Sequence, residues 1–98
     1  MSRATFIRGL IGLSVRDMHE PIISIVRRVA LVTGISEGRI KSKERVHPVA
    51  HARQEVFAIA RSKGYTLTQI AAFFAAHHTT ISHGIAAHKA RTNQGETA

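Results

Sequence analysis

Apolar residues recur at three- and four-residue spacing through most of the middle of the chain, the pattern of helices that each bury one face. Ile22, Ile25, Val26, Val29 and Val32 draw the first stripe. Pro21 suits the first turn of that helix, where a missing N–H costs nothing, and the pattern predicts a helix to about Thr33 with Gly34 as its stop. Ser36 can cap a short turn through about Lys41, and Ser42 to His47 reads as a basic loop. Pro48 starts a longer helix with Val49, Ala52, Val56, Ile59 and Ala60 on its buried side, Arg53, Arg61 and Lys63 off that stripe, and Gly64 as a left-handed cap.

Thr66-Leu67-Thr68-Gln69 has the spacing of a capping box. Leu67, Ile70, Ala71 and Phe74 form the buried side of the short helix behind it, the pattern breaks over Ala75 to His77, and a further helix runs from His78 or Thr79 to Ala90. Two short helices with a tight break outline a helix-turn-helix, with Ala75 or Ala76 where a turn glycine is usual. The predicted fold class is therefore all-α, a small helical bundle containing a helix-turn-helix. Ahead of it, the apolar run Phe6 to Leu13, interrupted by Arg8, Gly9 and Gly12, predicts a short amphipathic helix packed on the main domain, with an arm or a membrane-surface helix as alternatives. The run is too short and too charged for a secretory signal. The expected organisation is an N-terminal arm or helix over 1–20, the helix-turn-helix domain over 21–91 and a flexible tail over 92–98.

A chain of 98 residues makes one modest domain. Its hydrophobic fraction of 44% is enough for a core and argues against a disordered basic tail. No stretch approaches the ~20 apolar residues of a membrane span, so a membrane partner is not expected. Lys and Arg number 14 against 6 Asp and Glu, a formal charge of +8 with all seven histidines neutral, which favours a polyanionic partner. The absence of cysteine removes disulfides, thiolate zinc sites and cysteine nucleophiles, and fits a reducing compartment.

The charge is unevenly spread. Four cations, Arg39, Lys41, Lys43 and Arg45, flank a single Glu44, a run suited either to tracking phosphates or entering a minor groove, or to a solvated surface loop. From Thr66 to His88 there is no charged residue. That stretch sets His77, His78, Thr79, Thr80, Ser82 and His83 at the start of the last helix. They are short donors and acceptors fit for base edges and phosphates; the alternative is an N-cap cluster in which His78 or Thr79 satisfies the first amides. Imidazoles at His51, His77, His78 and His83 on such a face would make binding pH-sensitive. His47 with His51, and adjacent His77 and His78, lack the cysteines and carboxylates of a closed zinc site, so no metal or cofactor is expected. No nucleophile, acid/base or phosphate-loop motif appears, so neither catalytic residues nor a small-molecule substrate is expected.

At these residues the chain resembles the C-terminal DNA-binding domain of the DnaA replication-initiator family, over roughly Ile22 to His88. His78-Thr79-Thr80-Ile81 followed by His83 is similar to the family's Asp-His-Thr-Thr-Val-x-His signature, Ala50-His51-Ala52-Arg53-Gln54 to Ala-Arg-x-Arg-Gln, and Ser42-Lys43-Glu44-Arg45 to Ser-Lys-x-Arg, all in the family's order. The resemblance implies a Trp-repressor-like helical bundle that reads double-stranded DNA at a short A·T-rich box. Arg45 would enter the minor groove, and His78, Thr79 and Thr80, with His77 and Ser82 beside them, would read base edges. Arg53, Gln54 and His83 would hold the backbone, joined by Lys41, Lys43, Thr66 and Thr68 at phosphates. His77 stands where the family has its aspartate, Glu44 and His51 replace basic residues, and Ala86-Ala87 replace a basic pair. With little chain ahead of Ile22, the expectation is a cytoplasmic, nucleoid-associated reader without the family's ATPase, acting in replication or transcription control. The alternative is a protein-interaction module that docks a host initiator without reading DNA.

Overall fold

The computed structural model describes residues 20–97, with side chains to Asn93, so the expected N-terminal amphipathic helix lies outside the described residues. Among the described residues five helices follow one another: α1 (Ile22–Thr33), α2 (Glu37–Lys41), α3 (His47–Ser62), α4 (Leu67–Phe74) and α5 (His78–Thr97). No strand occurs among the described residues, and the fold is an all-α bundle containing a helix-turn-helix. The long α3 is its axis and packs against each of the other four helices. All five supply the core: Ile25 and Val26 from α1, Ile40 from α2, Val56, Phe57 and Ala60 from α3, Ile70 and Phe74 from α4, Ile81 and Ile85 from α5.

Local signals set most of the boundaries. Thr66 and Gln69 form the capping box, with the Thr66 hydroxyl accepting from the Gln69 amide at 3.0 Å and the Gln69 side chain accepting from the Thr66 amide at 2.9 Å. Ser36 caps α2 by accepting from the Arg39 amide. Gly34 and Gly64 take positive φ of 77° and 104° where their helices end.

Several expectations are corrected. Pro21 is extended and sits just before α1, its carbonyl accepting from Ser24 and Ile25, and Pro48 is the second residue of a helix that opens at His47. Val32 is 78% exposed beside Leu31 at 86%: among the described residues the buried stripe of α1 ends at Val29. Phe57, outside the predicted stripe, is buried where α3 meets α4 and α5. Ile59 and Leu67 pack at the edge of the core rather than inside it. Helix α5 runs past Ala90 to Thr97, through residues expected as tail: no proline stops it, and Arg, Gln and Glu favour the helix.

Glu20 ties the start of α1 to the corner between α3 and α4. Its carboxylate accepts from Ser24 at 3.0 Å and pairs with Arg28 at 3.0 Å and Lys63 at 3.5 Å, while its carbonyl accepts from the Tyr65 hydroxyl at 2.8 Å. Burial opposes ionisation of this carboxyl, but the Ser24 hydrogen bond and the two cations outweigh it and hold the group below the usual glutamate range.

Candidate nucleic-acid interface

Helix α4 ends at Phe74, and the chain reverses through Ala75, which adopts the left-handed conformation at φ 52°, ψ 46°. Three residues, Ala75 to His77, join the two helices of the motif. His77 caps α5 from outside: its Nδ1 accepts from the Thr79 amide at 3.2 Å and lies 2.8 Å from the Thr79 hydroxyl. The ring also stacks on His78, with centroids 4.4 Å apart. The capping role weighed for His78 or Thr79 therefore belongs to His77.

Beyond the cap, the period of α5 sorts its residues cleanly. Ile81, Gly84 and Ile85 turn inward, and His78, Thr79, Thr80, Ser82 and His83 are exposed. Gly84 packs against Phe57 and Gln54 of α3. A Cβ there would stand 2.7 Å from Cδ2 and 2.9 Å from Cε2 of Phe57, so only glycine fits without displacing the ring.

The basic loop between α2 and α3 is braced from within. Arg39 and Glu44 pair through two hydrogen bonds of 3.1 and 2.7 Å, and that guanidinium holds the Glu44 carboxyl below its ordinary range. Ser42 donates to the Arg39 carbonyl at 2.6 Å and accepts from the Glu44 amide at 3.1 Å. Arg53 reaches back from α3 and donates to the carbonyls of Ile40 at 2.8 Å and Arg39 at 3.3 Å, closing the end of α2. Burial lowers the pKa of this guanidinium, with Glu44 opposing the shift. Lys43 donates to the carbonyl of Ala75 at 2.6 Å. Arg45 is exposed and, among the described residues, makes no hydrogen bond or ion pair.

Two hollows bring most of the singled-out side chains together. A cleft of about 430 Å³ is lined by Lys43, Arg45 and Arg53 together with His77 and Thr80, with Phe57 and Phe74 among its apolar lining. A second, of about 410 Å³, runs between α3 and α5 along Arg53, Gln54, Thr80 and His83, with Gly84 beside them. Gln54 is held there by Arg91, which donates to its side-chain oxygen at 2.6 Å. His78, Thr79 and Ser82 are exposed on α5 outside both hollows. Thr66 and Thr68 are exposed at the start of α4, and Lys41 stands 5.9 Å from the centre of the Phe73 ring. His51 stacks on His47; burial and the charges of Arg91 and His47 push its pKa down. No group of three potential metal ligands occurs among the described residues.

Sequence reasoning missed Gly84 and Arg91, and left the turn position open between Ala75 and Ala76, of which Ala75 takes it. A glycine at the centre of a helical pattern was the available sign for Gly84; Arg91 carries none, since it is defined by what lies next to it in space.

Comparison with known proteins agrees with this architecture. Residues 22–87 match the family described as bacterial dnaA protein helix-turn-helix. The chromosomal replication initiator protein DnaA of Pseudothermotoga lettingae is 34% identical over 76 residues, which cover 76% of this chain and 17% of that protein. No solved structure matches. With its helix-turn-helix, its capped last helix and its braced basic loop, the chain belongs to the bacterial DnaA helix-turn-helix family.

Proposed function

We propose that this domain reads double-stranded DNA, with the start of α5 in the major groove and Arg45 in the adjacent minor groove. The observation that carries the reading is the single cleft lined both by Arg45, a cation with no hydrogen bond or ion pair among the described residues, and by His77 and Thr80 at the start of α5. His78, Thr79, Thr80 and Ser82 offer hydroxyls, methyls and imidazoles to base edges. Lys41, His83 and Thr68 are exposed for phosphates, as is Thr66 beside its capping bond, whereas Arg53, Gln54 and Lys43 already hold internal partners and act first by shaping the surface. A short A·T-rich site is the expected target, because a narrow minor groove attracts an inserted arginine.

Fluorescence anisotropy on an A·T-rich box duplex and a scrambled duplex, over a salt series, tests this. If roughly five phosphates are neutralised, log K falls against log salt with a slope of about −4.5. Arg45→Ala weakens the A·T-rich duplex most. Absence of binding to both duplexes at low salt rejects the reading.

A second reading, docking of a protein partner, draws on one observation. Leu31 and Val32 are exposed at the end of α1, and Leu31 borders a hollow of about 680 Å³ with Ala30 and Ile35. Co-elution with an initiator in the absence of DNA would support it.

A further inference from the structure

The two halves of the proposed DNA surface lie far apart in sequence, and one side chain joins them directly. Lys43 reaches from the basic loop to the turn of the helix-turn-helix, with its Nζ 2.6 Å from the Ala75 carbonyl oxygen and 3.4 Å from that of Phe74. These carbonyls close α4, where the helix leaves acceptors without intrahelical partners and its dipole favours a cation. The left-handed turn at Ala75 occurs at this same point. The root of the loop is held separately, by Arg53 on the end of α2 and by the Arg39–Glu44 pair. Arg45 follows Lys43 by two residues and has no internal bond of its own among the described residues.

We propose that Lys43 is a positioning residue: by bonding the turn carbonyls it fixes where Arg45 stands relative to the start of α5, rather than serving as a phosphate contact. A loop tethered only at its root would let Arg45 sample many positions beside the recognition helix. With the tether, the separation of the minor-groove and major-groove elements is built into the free protein, which lowers the ordering required on binding.

The inference rests on the DNA-reading proposal, and the experiment separates the two. Lys43→Met keeps the stem and removes the ammonium. In anisotropy titrations of the full chain, preference for the A·T-rich duplex over a G·C-rich one falls on the order of fivefold while the salt slope stays at the wild-type value. The double variant Lys43→Met/Arg45→Ala is no weaker than Arg45→Ala alone, because Lys43 acts through Arg45. A slope smaller by about 0.9, or additive losses in the double variant, makes Lys43 a phosphate ligand and overturns the proposal. If the wild-type chain binds no duplex, the DNA reading fails and the tether is decided in the free protein by amide NMR. There, Lys43→Met shifts Ala75 to His77 as well as Glu44 to Val46, with the helical circular dichroism unchanged. Shifts confined to the neighbours of residue 43 in sequence overturn the tether.

Discussion

Ala75 holds a backbone conformation in which an L side chain crowds the following carbonyl, a strain of about 1–2 kcal/mol that glycine avoids. Glycine gives back part of that gain through the greater freedom of its unfolded chain, so Ala75→Gly should stabilise the domain by about 1 kcal/mol, read as a rise in midpoint on denaturant unfolding. Gly84 presents the opposite sign. Alanine is the better helix former by ~1 kcal/mol, yet its Cβ would press into the Phe57 ring, and overpacking of ~1–3 kcal/mol outweighs that gain. Gly84→Ala should lower stability in the same assay, and Phe57→Leu in that background should recover part of the loss by vacating the ring. The two small residues lie nine positions apart and are not interchangeable: one is defined by its own dihedral angles, the other by a neighbour on another helix.

For whole helices, the ends matter most. The start of α5 depends on His77, whose ring nitrogen accepts an amide that water would otherwise have to satisfy. His77→Ala should lower stability by about 1 kcal/mol, as removal of other side-chain caps does, and amide exchange should quicken at Thr79 and Thr80 before it does at Ile85. Such local devices are the part of the molecule most legible from sequence. The Thr66–Gln69 box, the Ser36 cap, the glycine stops and the buried faces of α1 and α4 each depend on residues within one or two turns of each other. What escaped the sequence is set by contacts between helices: the exposure of Val32, the burial of Phe57, the restriction at Gly84 and the reach of Arg53 and Lys43 to distant carbonyls. The candidate site follows the same division. The exposed face of α5 and the basic loop follow from spacing and charge, whereas Arg53 and Gln54, expected at phosphates, turn out to hold internal partners that only the packed bundle supplies.

For the whole molecule, Glu20 carries a pH dependence whose sign follows from its depressed pKa. The folded state binds a proton at this carboxyl less readily than the unfolded chain does, so its contribution is complete above the usual glutamate range and is lost as pH falls through the lower folded value. Glu20→Gln should reduce stability at neutral pH by ~0.5–1 kcal/mol, with the gap to wild type closing as acid titrates the carboxylate. A gap that persists unchanged into acid would mean the hydrogen bonds, not the charge, hold the corner between α3 and α4. The contact between Gly84 and Phe57 has an effect at this scale as well. Since the ring fills the space a side chain would need, α5 can neither roll about its axis nor lift from α3 without opening the core. The outward face of α5 thus behaves like type set in a fixed frame. On the DNA-reading proposal, randomising His78, Thr79, Thr80 and Ser82 while leaving Gly84 and Phe57 alone should reprogram sequence preference by exchanging letters, with the press that holds them unchanged.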